Sequence, residues 1–325
     1  MLGMVAIVPH PTVNMRATEL LGWYEHARRD LPWRRPGVTP WQILVSEVML
    51  QQTPVARVAP VWTEWVTRWP TPSATAAAGV ADVLRAWGRL GYPRRAKRLH
   101  ECAVIIATRF DDVVPSDVDT LLTLPGVGSY TARAVACFAY RQRVPVVDTN
   151  VRRVVTRVVH GVAHAPPSSR DLDEVAALLP DDDTAPRFSA ALMELGATVC
   201  TARSPRCGDC PLSRCRWRER KYPPATAPRR VQRYAGTDRQ VRGLLLDVLR
   251  NSSAPVERAA LDMVWLTDTA QRDRALHSLL ADGLVEQTPD GRFALAGEGE
   301  PDQSVTSAPD SVDPDVVEPQ ANRRR

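Results

Sequence analysis

The chain has little of what marks a secreted, membrane-spanning or β-rich protein. It contains only six cysteines in 325 residues, and four of them crowd into sixteen positions, so no dispersed disulfide framework is available. No apolar stretch approaches the roughly 20 residues that cross a bilayer. The first fifteen residues carry no basic segment ahead of a mildly apolar stretch, which Pro9 and Pro11 interrupt, unlike a secretory leader. Alternating strand-like runs are scarce before residue 283, the exception being the short, proline-broken Val144–Val147. These absences predict a soluble, cytoplasmic chain with reduced thiols, read here as a monomer without a membrane partner.

The length suits about two domains, and 44% hydrophobic residues allow a sizeable core. The net charge of +5 understates the basic character of the rest, because residues 297–325 hold seven acidic residues against three arginines. Without them the net charge is +9, a balance suited to a polyanion. Helical periodicity recurs over Thr18–Arg29, Val55–Trp69, Ala81–Leu90 and Arg94–Phe110, punctuated by Pro32, Pro70, Gly91-Tyr92-Pro93 and Asp111-Asp112. The expectation is a mainly α body over 16–222, after a flexible N-terminus at 1–15. A basic, proline-stiffened linker at 223–238 follows. Residues 239–296 predict three helices and a β-hairpin around Asp290-Gly291, a small winged-helix-like module. Residues 297–325 read as a disordered tail.

Four places carry candidate chemistry. Glu47 stands in the oily run Trp41–Thr53 beside Val45, Val48 and Leu50, where desolvation would raise its pKa toward neutrality, as an acid catalyst needs. A solvated polar face bearing Ser46, Glu47 and Gln51 is the plainer reading of that helix. Gly126 and Gly128, in Leu124-Pro-Gly-Val-Gly-Ser-Tyr130, make a tight turn that offers backbone N–H groups at the start of the next helix, a cradle for phosphate. Asp148 precedes Thr149-Asn150-Val-Arg-Arg153 and reads locally as an N-cap. Cys200, Cys207, Cys210 and Cys215 are spaced C-x6-C-x2-C-x4-C, a set fit for tetrahedral zinc or an iron–sulfur cubane. Cys102 and Cys137 lie on apolar helical stretches, as core residues do. His160 and His164 read as loop residues.

The string Ser46-Glu-Val-Met-Leu-Gln-Gln-Thr53 resembles the catalytic helix of the MutY-type adenine DNA glycosylases. The turn at 124–130 resembles the helix-hairpin-helix of the wider glycosylase superfamily, spanning about 121–140 here. The resemblance covers roughly residues 17–222. It implies base excision of adenine opposite 8-oxoguanine or guanine in double-stranded DNA, with Glu47 as general acid and Asp148 beside the sugar, Asn150 being its polar partner. It also implies a [4Fe–4S] cluster on the four cysteines, although the family's last gap is five residues and this one is four.

Endonuclease III-like members carry a lysine where this chain has Tyr130, and no lysine lies between Lys97 and Lys221; a monofunctional enzyme follows from the resemblance. Trp33 and Arg34, in Leu31-Pro-Trp-Arg34, resemble residues shaping the base pocket, and Glu194 resembles an acceptor for the exocyclic amine of adenine. Leu50, Gln51, Gln52 and Tyr92 resemble residues that enter or read the duplex. Arg203, Arg206, Arg214, Arg216 and Arg218 are expected to face phosphate from the cysteine loops. A thymine- or uracil-excising mismatch enzyme of the same fold, or a non-catalytic DNA-binding iron–sulfur protein, are the alternatives. Typical members continue into a Nudix-like sensor of 8-oxoguanine, for which 239–296 is too short. A truncation after Tyr222 keeps Glu47, Asp148 and the four cysteines, so it is expected to excise adenine still, with weaker binding and less preference for 8-oxoguanine over guanine.

Overall fold

Proline, glycine and side-chain caps cut the sequence into short helices that stack around two apolar centres. The computed structural model describes residues 17–224 and 234–298. The N-terminus at 1–15, most of the linker and the tail from 299 onward lie outside the described residues.

The elements in order are α1 Ala17–Ala27, α2 Pro40–Leu50, α3 Val55–Arg68, α4 Pro72–Ala76, α5 Val80–Trp87 and α6 Arg94–Arg109. There follow α7 Val118–Leu122, α8 Ser129–Phe138, α9 Thr149–Val155, α10 Asp171–Ala176, α11 Ala185–Thr198 and α12 Arg216–Glu219. The C-terminal region adds α13 Asp238–Arg250, α14 Arg258–Asp262, α15 Thr269–Ala281 and the antiparallel pair β1 Val285–Gln287 and β2 Phe293–Leu295. The predicted helices and hairpin all form, each within a few residues of its expected limits. An isolated antiparallel bridge between Val256 and Phe293 adds a third edge to the hairpin.

Local chemistry explains the element that matters most. Thr39 and Gln42 close a reciprocal capping box at the start of α2, with Pro40 in its first turn. At the other end Pro54 forbids continuation, and the guanidinium of Arg95 donates to the carbonyls of Val48 (2.8 Å), Met49 (3.0 Å) and Gln51 (2.6 Å). Those are the carbonyls a helix end leaves without partners. Arg95 is itself half-buried, and that burial lowers its pKa to about 10.

The first core gathers α2, α3, α5 and α6 around Trp41, Trp62, Trp65, Trp69 and Trp87. Trp65 meets Trp69 and Trp87 edge-on at 4.8 and 6.0 Å between centroids, geometries favoured by the aromatic quadrupole. The second core packs α1, α9 and α11 against the cysteine loop through Leu20, Val154, Phe188, Leu192 and Leu195. Helices α9 and α11 touch at Gly196, where a Cβ would stand 2.7 Å from that of Asn150; only glycine permits this crossing.

The compact C-terminal region is joined to the body by more than the linker. Val241, Leu245, Leu249, Leu284 and Phe293 belong to the same apolar cluster as Leu84, Trp87 and Leu90. Arg250 donates to the Leu84 carbonyl at 3.0 Å, and Arg85 donates to the carbonyls of Arg250 and Ser252 at 3.3 and 2.9 Å. Arg89 meets Asp247, and Arg85 meets Glu298. The tail expected to be disordered from residue 297 thus begins with a pinned residue, Glu298.

Candidate active site and cysteine loop

The two cores leave between them a cavity of about 890 Å³, lined by Glu47, Leu50, Gln51, Gln52, Tyr130, Asp148, Asn150, Trp33 and Arg34 among others. Arg28, Arg29, Arg141, Arg152 and Arg187 also line it, while Glu47 and Asp148 are the acids in its wall. Arginines outnumber the two carboxylates in this wall, a balance that suits a polyanion.

Glu47 projects from the middle of α2 and is 5% exposed. Burial raises its pKa from 4.5 to about 7; the charge of Asp148 adds to the rise, while the Tyr130 hydrogen bond and Arg34 oppose it. The Tyr130 hydroxyl donates to Glu47 Oε2 at 2.9 Å. Burial also raises the Tyr130 phenol well above its ordinary value, so it stays a donor. Gln51 reaches across to α8, its Nε2 donating to Thr131 Oγ1 at 3.2 Å.

Asp148 caps α9, accepting from the Val151 N–H at 2.6 Å and from Asn150 Nδ2 at 2.7 Å. Burial raises its pKa, and these hydrogen bonds hold the rise in check. The same residue therefore serves the helix cap and faces the cavity, so its position is rigid. Two carboxylates thus share one cavity, Glu47 raised to about 7 by burial and Asp148 held by hydrogen bonds that favour its charged form.

The hairpin turn is built as its glycines suggested, with a difference between them. Gly126 takes a left-handed backbone (φ 78) and lies against Arg98, where a Cβ would come within 3.0 Å. Gly128 is extended and opens on free space, at the N-cap of α8.

Glu194 departs from its expected role. It is fully buried and does not line the cavity. Arg29 donates to both its oxygens (Nε at 2.5 Å, Nη2 at 3.1 Å) and Arg34 to Oε2 at 2.8 Å. Burial pushes its pKa up, but the two guanidiniums win and hold it below the usual value. A buried anion so paired fixes the arginines that do face the cavity. Trp33 lines the cavity edge-on to Trp62 at 5.9 Å. Tyr92 lies outside it, 39% exposed.

Sequence reasoning missed Arg153 as well as Arg29 and Arg95. Arg153 donates to Asn150 Oδ1 (2.7 Å), the Gly196 carbonyl (2.6 Å) and the Cys200 carbonyl (2.7 Å). It ties the partner of Asp148 to the first cysteine of the loop. Its spacing of three from Asn150 on a helix was the available signal.

Cys200, Cys207, Cys210 and Cys215 line one small cavity with Val154, Leu195, Leu212 and Trp217. Among the described residues no three His, Cys, Asp or Glu side chains converge closely enough for a single metal ion. The four thiols share the wall of one cavity, a donor set that suits an iron–sulfur cluster. Arg157, 3% exposed, stacks 4.4 Å over Trp217 and brings its guanidinium 3.4 Å from Cys200 Sγ. The shortened last gap closes cleanly, because Leu212 is buried and Ser213 is held by the Glu19 carboxylate through its N–H (3.0 Å) and Oγ (2.9 Å).

Three of the loop arginines expected to face phosphate turn inward instead. Arg206, Arg216 and Arg218 donate to the carbonyls of Thr198, Val159 and Leu212, satisfying irregular backbone. Cys102 and Cys137 are buried, which pushes both thiols up to about 12 and leaves them inert.

Comparison with known proteins agrees with this architecture. Residues 45–173 match the HhH-GPD superfamily base excision DNA repair proteins, and residues 200–214 the iron–sulfur binding domain of endonuclease III. The chain is 78% identical to an adenine DNA glycosylase of Mycolicibacterium smegmatis over 288 residues, 89% of this chain and 98% of that protein. It is 70% identical to an adenine DNA glycosylase of Mycobacterium tuberculosis over 303 residues, 91% of this chain and the whole of that one. Among solved structures, a thermostable thymine-DNA glycosylase superposes with a TM-score of 0.58 at 26% identity, covering 63% of this chain and 95% of its own. The chain belongs to the MutY-type adenine DNA glycosylases, enzymes of base excision repair with an iron–sulfur binding loop.

Proposed function

We propose that the protein hydrolyses the N-glycosidic bond of adenine mispaired with 8-oxoguanine or guanine in duplex DNA, and that it does so without cutting the strand. The observation that carries the reading is Glu47: buried, with its pKa near 7, hydrogen-bonded to Tyr130, and sharing its cavity with Asp148. Adenine leaves poorly as an anion. Glu47 donates its proton to the base, at N7, as the bond to C1′ breaks. Asp148, ionised and fixed by Val151 and Asn150, stabilises the cationic sugar that results. Water then adds at C1′ and gives up a proton, which restores neutral Glu47. Arg29 and Arg34, held by Glu194, and Trp33 shape the base site, and extrusion of the base costs a few kcal/mol of stacking.

Among the described residues no lysine lines this cavity, and Tyr130 stands where the resemblance puts the lysine of strand-cutting members. Single-turnover assays on duplexes carrying A opposite 8-oxoguanine, A opposite G, and T or U opposite G test the assignment. Adenine release leaving an alkali-labile but uncut strand is expected. Preferential release of T or U, or efficient borohydride trapping of a protein–DNA adduct, would overturn it.

The four cysteines fit a [4Fe–4S] cluster, which would act structurally, bracing the loop that Arg153 and Arg157 tie to α9 and α11. Purified protein is expected to be yellow-brown with about four irons per chain. Cys207→Ser should lose iron, soluble yield and DNA affinity. Stoichiometric zinc without iron after anaerobic preparation would refute the cluster.

A further inference from the structure

Where α8 ends, an arginine occupies a backbone position that suits glycine. The helix stops at Phe138, and the Gln142 N–H returns to the Ala136 carbonyl at 3.1 Å. Inside that closing turn Arg141 takes a left-handed backbone (φ 59). Glycine holds such a place at no steric cost, and a residue with a Cβ does not. Backbone strain of this kind gathers at functional sites. The Arg141 side chain is exposed and lines the cavity, as do Phe138, Val147 and Asp148. The other arginines of that wall have carboxylates for neighbours. Glu194 holds Arg29 and Arg34, Asp30 holds Arg35, Asp171 holds Arg152 and Glu25 holds Arg187. The charge of Arg28 acts on Asp30. Two residues further on, Arg143 is taken up by the Leu179 and Pro180 carbonyls and by Asp181. Among the described residues neither a carboxylate nor a carbonyl engages the Arg141 guanidinium, so its donors stay open to the cavity and to solvent.

We propose that Arg141 binds a phosphate flanking the nucleotide whose base enters the cavity, and so anchors that nucleotide beside Asp148. The proposal rests on the reading of duplex DNA as substrate. A base drawn in toward Glu47 brings its sugar to Asp148, and the phosphates on either side of that sugar follow it to the cavity wall. A guanidinium with unused donors takes a phosphate through paired hydrogen bonds. At Arg152 or Arg187 an ion pair would have to break first; at Arg141 there is none to break. The arginine costs stability in the free protein and gains a contact that forms only with DNA.

The test titrates the full-length protein, over a range of salt concentrations, with duplex carrying a stable abasic analogue opposite guanine. A fully paired duplex of the same sequence is titrated beside it, and the free protein is melted in parallel. Arg141→Gly should bind the analogue duplex about tenfold more weakly, with the slope of log affinity against log salt shallower by about 0.9. The same variant should melt about 2 °C higher, because glycine relieves the left-handed turn. On the paired duplex, where no nucleotide enters the cavity, its loss of affinity should be smaller. Arg141→Lys should keep the parental slope and melting temperature but only part of the affinity, since ammonium lacks the planar fork. Binding of the analogue by Arg141→Gly within twofold of the parent, an unchanged slope, or equal losses on both duplexes would overturn the proposal. A fall in its melting temperature would make the side chain a support of the fold and would overturn it as well. These titrations need no base release, so a protein that failed to excise adenine would refute the proposed activity and leave the phosphate contact standing.

Discussion

Glu47→Gln is expected to abolish adenine release while leaving a folded protein that still binds mispaired duplex. The amide keeps the shape of the carboxyl and can accept from Tyr130, but it has no proton to give. General acid catalysis contributes about 10²–10⁴-fold, and the single-turnover rate should fall by that factor. In the parent, the rate should decline as pH rises through about 7, where Glu47 ionises, and decline again at acid pH as Asp148 takes up a proton.

The variant should gain stability where it loses activity. Between pH 4.5 and about 7 the folded protein keeps the Glu47 proton that the unfolded chain has released. The parent therefore loses stability as pH climbs through that window, by up to about 3 kcal/mol. The variant lacks this dependence and should melt higher than the parent at pH 8, with a smaller difference at pH 5. Excision by Glu47→Gln within a few-fold of the parent would sink the assignment of the acid.

Truncation after Tyr222 carries the second large effect, and here the structure reverses the expectation from sequence. All the residues of the cavity and the cysteine loop remain in such a chain, so activity would seem secure. Yet Leu84, Trp87 and Leu90 are covered by Val241, Leu245, Leu249 and Phe293. Exposing each large apolar side chain costs about 1.5–3 kcal/mol, and several together approach the 5–15 kcal/mol of a whole domain. The Leu84 carbonyl and the Arg85 guanidinium would also lose their partners in Arg250, Ser252 and Glu298. The truncated chain is expected to be poorly soluble and to melt far below the parent. In the intact protein, Leu249→Ala should lower stability by about 2–5 kcal/mol and do so in a single transition spanning both regions. A soluble truncation melting at the parental temperature would show that the shared core contributes little.

The sequence by itself determined the helical architecture, because proline and glycine punctuation and apolar periodicity act over a few residues and need no partner. It also pointed to the four cysteines by their spacing, and to Glu47 and Asp148 through the resemblance of the segments around them, since locally Asp148 reads only as a helix cap. What only the tertiary structure decided depends on residues far apart in the chain. Apolar neighbours on every side of α2 do not say where Glu47 points; the cavity between two cores does. Glu194 had the right type for a base contact, but Arg29 and Arg34, about 160 residues away, claim its oxygens. The loop arginines were legible as positive charge, and which carbonyls they would satisfy was not. The place of the C-terminal region followed from interlocking side chains of α5 and α13, a match of shape that periodicity does not encode.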